Sequence, residues 1–252
     1  MRVFALSDIH IDYRENRNWL LSLSKEDYRD DILLLAGDVS DMTHFLELAF
    51  RSLMKRFREV MFVPGNHDLW IYRNNVQNSL VHFNRIKALA HENGVQMGPK
   101  SIGPISLIPL YGWYDYSFGA PSEALSYIWR DFSACAWPHN FSDPEITRLF
   151  VAMNEDHLSM RNDHIISFSH FMPRIDLMPP IIPQEKRILY PVLGTALLEE
   201  QIRRLGSKIH VYGHTHVNMT AHKDGVLYVN NAFGYPDETR IARKELVCVF
   251  EA

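Results

Sequence analysis

Seven side chains in this sequence are of types that bind metal ions, and they fall in short polar clusters: Asp8 with His10, Asp38, Asn66, His170, and His214 with His216. His67, a candidate for catalysis, adjoins Asn66. The set combines carboxylate, amide carbonyl and imidazole without thiolate, a mixture that suits Mn, Fe or Zn better than a soft-metal site. It is also richer than one ion needs. Two ions would divide it, and a carboxylate with its two oxygens can bridge them. Two cations about 3.5–4 Å apart clamp the attacking and leaving oxygens of an in-line phosphoryl displacement, and they lower the pKa of a shared water so that hydroxide forms near neutral pH. In Asp8-Ile9-His10 and in His214-Thr215-His216 the alternate residues face one side if the chain is still extended there. Gly37, Gly65 and Gly213 each stand directly before a candidate ligand, where glycine lets backbone pass close to an ion or adopt a positive φ.

The elements that must position these residues are legible as apolar runs. Val3 to Leu6, Ile32 to Ala36 and Val60 to Val63 are short, continuous and apolar, as strands covered on both faces are. Each ends at a polar cluster. Thr43 to Arg58 and Asn75 to Asn93 carry apolar residues at helical spacing, the second with Gly94 placed as its C′ residue. Strand–helix–strand order at this spacing predicts βαβ units and a parallel sheet. Further on, Ile105 to Leu110, Ile165 to Ser169, Lys208 to Tyr212, Val226 to Asn230 and Leu246 to Phe250 read as strands. A helix opens at Ser142 with a capping-box arrangement to Glu145. A proline-rich loop follows from Pro173 to Pro191, and a helix from Thr195 to Leu205 is stopped by Gly206. Ligands of open α/β sheets bind outside the carboxyl ends of the strands, so five strand ends can bring the clusters to one place.

The series Asp8-x-His10, Gly37-Asp38-x-x-Asp41, Gly65-Asn66-His67-Asp68, His170 and Gly213-His214-Thr215-His216 resembles the calcineurin-like metallophosphoesterase superfamily in order and type, over residues 8 to 216. The resemblance implies an α/β fold, a four-layer α/β/β/α sandwich of two mixed sheets. It implies that Asp8, His10 and His216 bind one metal, that Asn66, His170 and His214 bind the other, and that Asp38 bridges them. It implies two divalent or trivalent ions per chain and attack by a hydroxide that bridges them. His67 corresponds to the family's non-ligand histidine, which contacts phosphate and protonates the leaving oxygen. Asp41 stands where some members keep an Asp that orients that histidine. The family's Ser/Thr protein phosphatases follow that Asp with a phosphate-gripping Arg, and here the residue is Met42. They also have Arg before the Gly-Asn-His, and here it is Pro64. These departures point to the broad bacterial-type branch.

The expected activity is therefore hydrolysis of a small-molecule phosphomonoester. A phosphodiesterase acting on cyclic nucleotides or other small diesters is the first alternative, and a non-catalytic scaffold of the same fold is the second. Arg73, just beyond the Asn66 loop, is a candidate for gripping phosphate or else a solvated residue. Trp113 and Tyr116, in the aromatic-rich stretch from Tyr111 to Trp137, are candidates for a substrate pocket, against a packing role for most of that stretch. Asp68 is expected to orient backbone, and His210 to pack.

The chain's 252 residues are read as a single domain (1–252) with a substrate-side insertion around 111–162. Hydrophobic residues make up 46% and charged ones 22%, an ordinary globular composition rather than disorder. Lys plus Arg number 26 against 30 Asp plus Glu, a net charge of −4 that disfavours a nucleic-acid partner. Two cysteines, Cys135 and Cys248, exclude a disulfide framework. No apolar run reaches membrane-spanning length and the N-terminus lacks a signal-peptide profile, so a cytoplasmic location with no membrane partner is expected.

Overall fold

The computed structural model describes residues 1–252. In chain order it contains β1 (Arg2–Leu6), α1 (Arg14–Ser22), β2 (Ile32–Leu35), α2 (Thr43–Leu53), β3 (Glu59–Phe62), α3 (Ser79–Glu92), β4 (Lys100–Ile102) and β5 (Ile105–Pro109). Then come α4 (Glu123–Ile128), α5 (Asp131–Ala134), α6 (Asp143–Met153), β6 (His164–Phe168), α7 (Ala196–Leu205), β7 (Ile209–Tyr212), β8 (Met219–Lys223), β9 (Val226–Asn230) and β10 (Val247–Glu251).

The strands form two sheets, one ordered β10-β1-β2-β3 and the other β4-β5-β6-β7-β9-β8. Their central strands are parallel, while β10, β4 and β8 pair antiparallel at the edges, so both sheets are mixed. With the helices they make the α/β/β/α sandwich that the resemblance implies. All four residues of β2 and the last four of β1 are buried, because strands sandwiched between layers have no wet face. A single cluster of 54 buried apolar residues includes residues from both sheets.

Local chemistry sets the helix ends. The α6 capping box forms as expected, with Ser142 and Glu145 satisfying each other's backbone. Helix α7 is capped by Thr195, whose hydroxyl accepts from the Leu197 N–H (3.2 Å), and it stops at Gly206 in the left-handed region (φ 70°). Two helices are shorter than their periodicity predicts. Helix α3 starts at Ser79 rather than Asn75, because the Asn78 side chain caps it by accepting from the Val81 N–H (2.9 Å). Helix α2 ends at Leu53 rather than Arg58. There the Arg56 guanidinium turns back to the carbonyls of Leu21, Leu23 and Ser52, and the Arg58 N–H pairs with Asp31. The proline-rich stretch contains two 3₁₀ segments, Ile175–Leu177 and Gln184–Val192.

The segments after the strands are stitched to one another across the two sheets. Ser7 receives the Phe233 N–H and donates its own to Asn231. The N–H groups of Asp8 and His10 reach the carbonyls of Gly37 and Asp38, and the Gly213 N–H reaches His170. One end of the sandwich thus becomes a rigid platform. No helix is long and apolar enough to cross a membrane.

Candidate metal centre

Five of the candidate ligands sit in the left-handed backbone region: Asp8 (φ 51°), His10 (φ 41°), Asp38 (φ 53°), His214 (φ 71°) and His216 (φ 53°). The extended geometry expected for Asp8–His10 and His214–His216 is therefore corrected. The chain coils as it leaves each strand, and the coil aims both side chains at one point. Such conformations cost roughly 1–3 kcal/mol each for residues with a Cβ and persist where the surroundings over-determine them. The hydrogen bonds between strand-end segments supply that constraint.

The side chains converge in two groups. On one side the His216 Nε2 lies 3.3 Å from an Asp8 oxygen and 3.2 Å from the His10 Nε2. On the other the His170 Nε2 lies 3.1 Å from both the Asn66 Oδ1 and the His214 Nδ1. Asp38 sits between the groups, with Oδ1 3.5 Å from the His170 Nε2 and Oδ2 3.9 Å from the His10 Nε2. Donors held at about 2.0–2.2 Å from one ion stand about 3.0–3.5 Å apart along the edges of its coordination polyhedron. The observed spacings, with lone-pair atoms turned toward one another, fit a cation in each group.

The opposite ring nitrogens are committed elsewhere, which fixes each imidazole's orientation. The His170 Nδ1 meets the Ala36 carbonyl (2.8 Å), and the His214 Nε2 meets the Val192 carbonyl (3.0 Å). The His216 Nδ1 meets Glu238 (2.6 Å). Asn66 is oriented the same way. Its amide donates to the Asp131 Oδ1 (2.9 Å), which also accepts from the Trp70 indole (2.7 Å). A carboxylate only accepts, so the Asn66 carbonyl must face His170. Asp68 accepts from the N–H groups of Asp38, Val39, Ser40 and Gly65, the backbone role expected for it. A Cβ on Gly65 would lie 2.1 Å from the Asp38 Oδ1, and one on Gly213 would lie 2.6 Å from the Asp8 Oδ2, so both positions require glycine by close approach.

The electrostatics ask for positive charge. Burial, then the charges of Asp8 and Asp68, push the Asp38 carboxyl well above the usual carboxylate range. Burial would raise Asp8 too, but the hydrogen bond and charge of His216 bring it down. Burial and the neighbouring rings His67 and His216 hold His10 well below the ordinary value, and burial with His170 does the same to His214. Both therefore favour the neutral form that binds metals. His216 is lifted to about 9, against its burial, by Asp8 and Glu238. Replacing Glu238 by glutamine is expected to weaken the ion on the Asp8–His10–His216 side by roughly 10–100-fold, the usual effect of losing a ligand's orienting carboxylate. Calorimetric titration of Mn²⁺ into chelator-stripped protein measures it, and unchanged affinities at both sites would discard the role.

His67 stands at the centre, its ring stacked on Trp70 (centroids 3.7 Å apart) and its Nε2 3.9 Å from the Asp38 Oδ2. A third grouping, His10 with Asp38 and His67, is also compact, but it reuses two donors of the first two sets. Asp41 does not orient His67, a correction to the expectation. Its carboxylate accepts from the Tyr72 hydroxyl (2.6 Å) and the Arg73 guanidinium (3.2 Å) instead. Arg73 is correspondingly neutralised, although it borders a cavity that reaches His67.

Trp113 is corrected from pocket wall to core. It is fully buried against Tyr114, Trp137 and Phe171, with its indole bonded to Asp143 (2.8 Å). Tyr116 is bonded through its hydroxyl to the same Asp143 and borders neither of the two cavities that reach His67. The same stretch instead supplies Ile128, Trp129, Arg130 and Asp131 to the cavity over the centre. Tyr235 borders that cavity as well. No spacing rule marked Glu238, Asp131, Trp129 or Tyr235. The aromatic density around 111–137 was a signal for Trp129 and Asp131 alone.

A family model described as calcineurin-like phosphoesterase matches residues 1–218, and the chain belongs to that family. It is a metal-dependent phosphoric ester hydrolase, which sets aside the non-catalytic alternative. Among characterised proteins it is 27% identical over 257 residues to the acyl-carrier-protein phosphodiesterase PptH of Mycobacterium tuberculosis, covering 94% of this chain and 79% of that one. The crystal structure of phosphopantetheinyl hydrolase PptH from the same organism matches with a TM-score of 0.84 at 26% identity, over 100% of this chain and 96% of the other. TT1561 of Thermus thermophilus shares the fold, with a TM-score of 0.52 at 14% identity over 92% and 89% of the two chains.

Proposed function

We propose that this protein is a two-metal phosphodiesterase that hydrolyses a phosphopantetheinyl diester carried on an acyl carrier protein. The observation that carries this reading is the similarity to PptH along nearly the whole chain. The small-molecule monoester expected from the motifs thus gives way to a diester on a protein.

In this reading Asp8, His10 and His216 hold one ion, Asn66, His170 and His214 hold the other, and Asp38 serves both; Mn, Fe and Zn all suit these donors. When bound, the ions supply Lewis acidity toward the phosphoryl oxygens and a water acidified to near neutrality. The chain's own residues do the rest. His67 delivers a proton to the departing ester oxygen as the phosphorus–oxygen bond to it breaks. Trp70 holds the His67 ring by stacking. Burial, then the charges of His216 and His170, pull the His67 pKa down to about 3, and the charge of a bound phosphate opposes that shift.

The test is incubation of the Mn²⁺-loaded protein with phosphopantetheinylated acyl carrier protein, followed by mass spectrometry of the carrier. Loss of the prosthetic group is the expected result. An unchanged carrier, alongside turnover of simple phosphomonoesters, would replace this reading with the monoesterase.

A further inference from the structure

Two cavities meet at His67, Trp70 and Tyr235, and they differ in character. One, of about 300 Å³, lies over the centre from His214 to His216; Ile128, Trp129, Leu189 and Ile241 give it an apolar wall, and Arg130, Asp131 and Glu238 also line it. The other, of about 390 Å³, lies over the His10 side and is walled by Asp12, Tyr13, Asp41, Tyr72 and Arg73. The first presents four apolar side chains, Ile128, Trp129, Leu189 and Ile241, that the second lacks; beyond the shared residues the second is lined by carboxylates, phenols, an imidazole and a guanidinium.

A diester has two arms diverging from one phosphorus. Resting on the diesterase reading above, we propose that the two cavities take the two arms separately. The apolar chain enters the Trp129 cavity, and the polar, residue-borne arm enters the Tyr72–Arg73 cavity. Both volumes lie at the low end of small-molecule sites, large enough for a chain and too small for a folded surface. Phosphorus seated beside His67 has one cavity on each side, so neither arm need fold back. The Trp129 wall is built to keep its shape. Its indole donates to the Tyr114 hydroxyl (3.2 Å), and its ring meets the metal-side His214 edge-on, 5.7 Å between centroids. Ile128 beside it is 57% exposed, an apolar side chain held at the rim with little covering it. An alkyl or amide chain entering there covers that surface and loses its own water.

Two p-nitrophenyl diesters test the partition, one with methyl and one with octyl as the second ester. The wild type is expected to favour octyl in kcat/KM. Trp129→Ala and Ile128→Ser should each cut the octyl-to-methyl ratio by roughly tenfold, the scale of discrimination that an apolar pocket provides. Tyr72→Ala should leave the ratio within about twofold of the wild-type value, because the polar cavity does not see the alkyl chain. The exposed Ile128 keeps the test valid should Trp129→Ala misfold. A ratio unchanged in Ile128→Ser, or one that falls in Tyr72→Ala instead, overturns the partition. Wild-type protein that turns over neither diester overturns the diesterase reading itself.

Discussion

Asp38→Asn should remove both ions at once and depress turnover by at least about 10⁴-fold, since hydroxide supply then falls back from a water of pKa near 7 toward one of 15.7. No other substitution at the centre reaches both groups, because only Asp38 turns one oxygen to His170 and the other toward His10. The variant keeps its fold for a stated reason. Asn can still accept the His67 N–H that the Asp38 Oδ1 now receives at 2.9 Å. Its effect on stability should depend on metal. Without cations Asp38 is a buried carboxyl beside Asp8, Asp68 and Asp131, and burial and their charges push its pKa well up. Folding then costs free energy, either to hold the charge or to take up a proton, and asparagine carries neither cost, so the chelated variant should melt above the chelated wild type. With Mn²⁺ present the order should reverse, because binding to the native state stabilises it. Melting curves in EDTA and in Mn²⁺, with elemental analysis, provide both readouts. Full metal content in the variant would remove Asp38 from the centre.

The second large effect is expected at His67. His67→Ala should leave metal content intact and lower turnover by about 10²–10⁴, the contribution of a positioned proton donor. The loss should be smaller for aryl than for alkyl leaving groups, since an aryl oxide departs with less protonation. His214→Ala should differ, losing one ion and slowing all substrates together. The structure also changes what Asp41 should do. It touches Tyr72 and Arg73 and makes no hydrogen bond to the His67 ring, so Asp41→Asn should not reproduce the His67 leaving-group pattern. Trp70→Ala should, in weaker form, because the stacked indole is what holds the ring. Emptying of a metal site in His67→Ala would make His67 a ligand in the compact His10–Asp38–His67 grouping. Equal slowing of aryl and alkyl esters would leave it an electrostatic role only.

The sequence by itself determined the candidate donors and the strands that carry them. Apolar runs such as Ile32 to Ala36 suit buried strands by their length and the turn residues that follow, and a polar cluster directly after such a strand emerges at the sheet's end. Gly65 and Gly213 were legible because each stands directly before a candidate ligand, although what leaves no room for a Cβ there is the approach of the distant Asp38 and Asp8. Local patterns also placed the capping box of α6 and the stop of α7. What they could not carry was anything set by contacts between distant segments. The left-handed coils at Asp8, His10 and His214 are held by groups distant in sequence, the carbonyls of Gly37 and Asp38 and the Asp8 carboxylate, and no residue type announces that. Glu238 reaches His216 across 22 residues, and Asp131 reaches Asn66 across 65. Asp41 turned to Tyr72 rather than His67, and Trp113 sank into the core while Trp129 took the cavity wall. Each outcome followed from which polar partner and which void lay within reach once the layers had packed, and only the tertiary structure decides that.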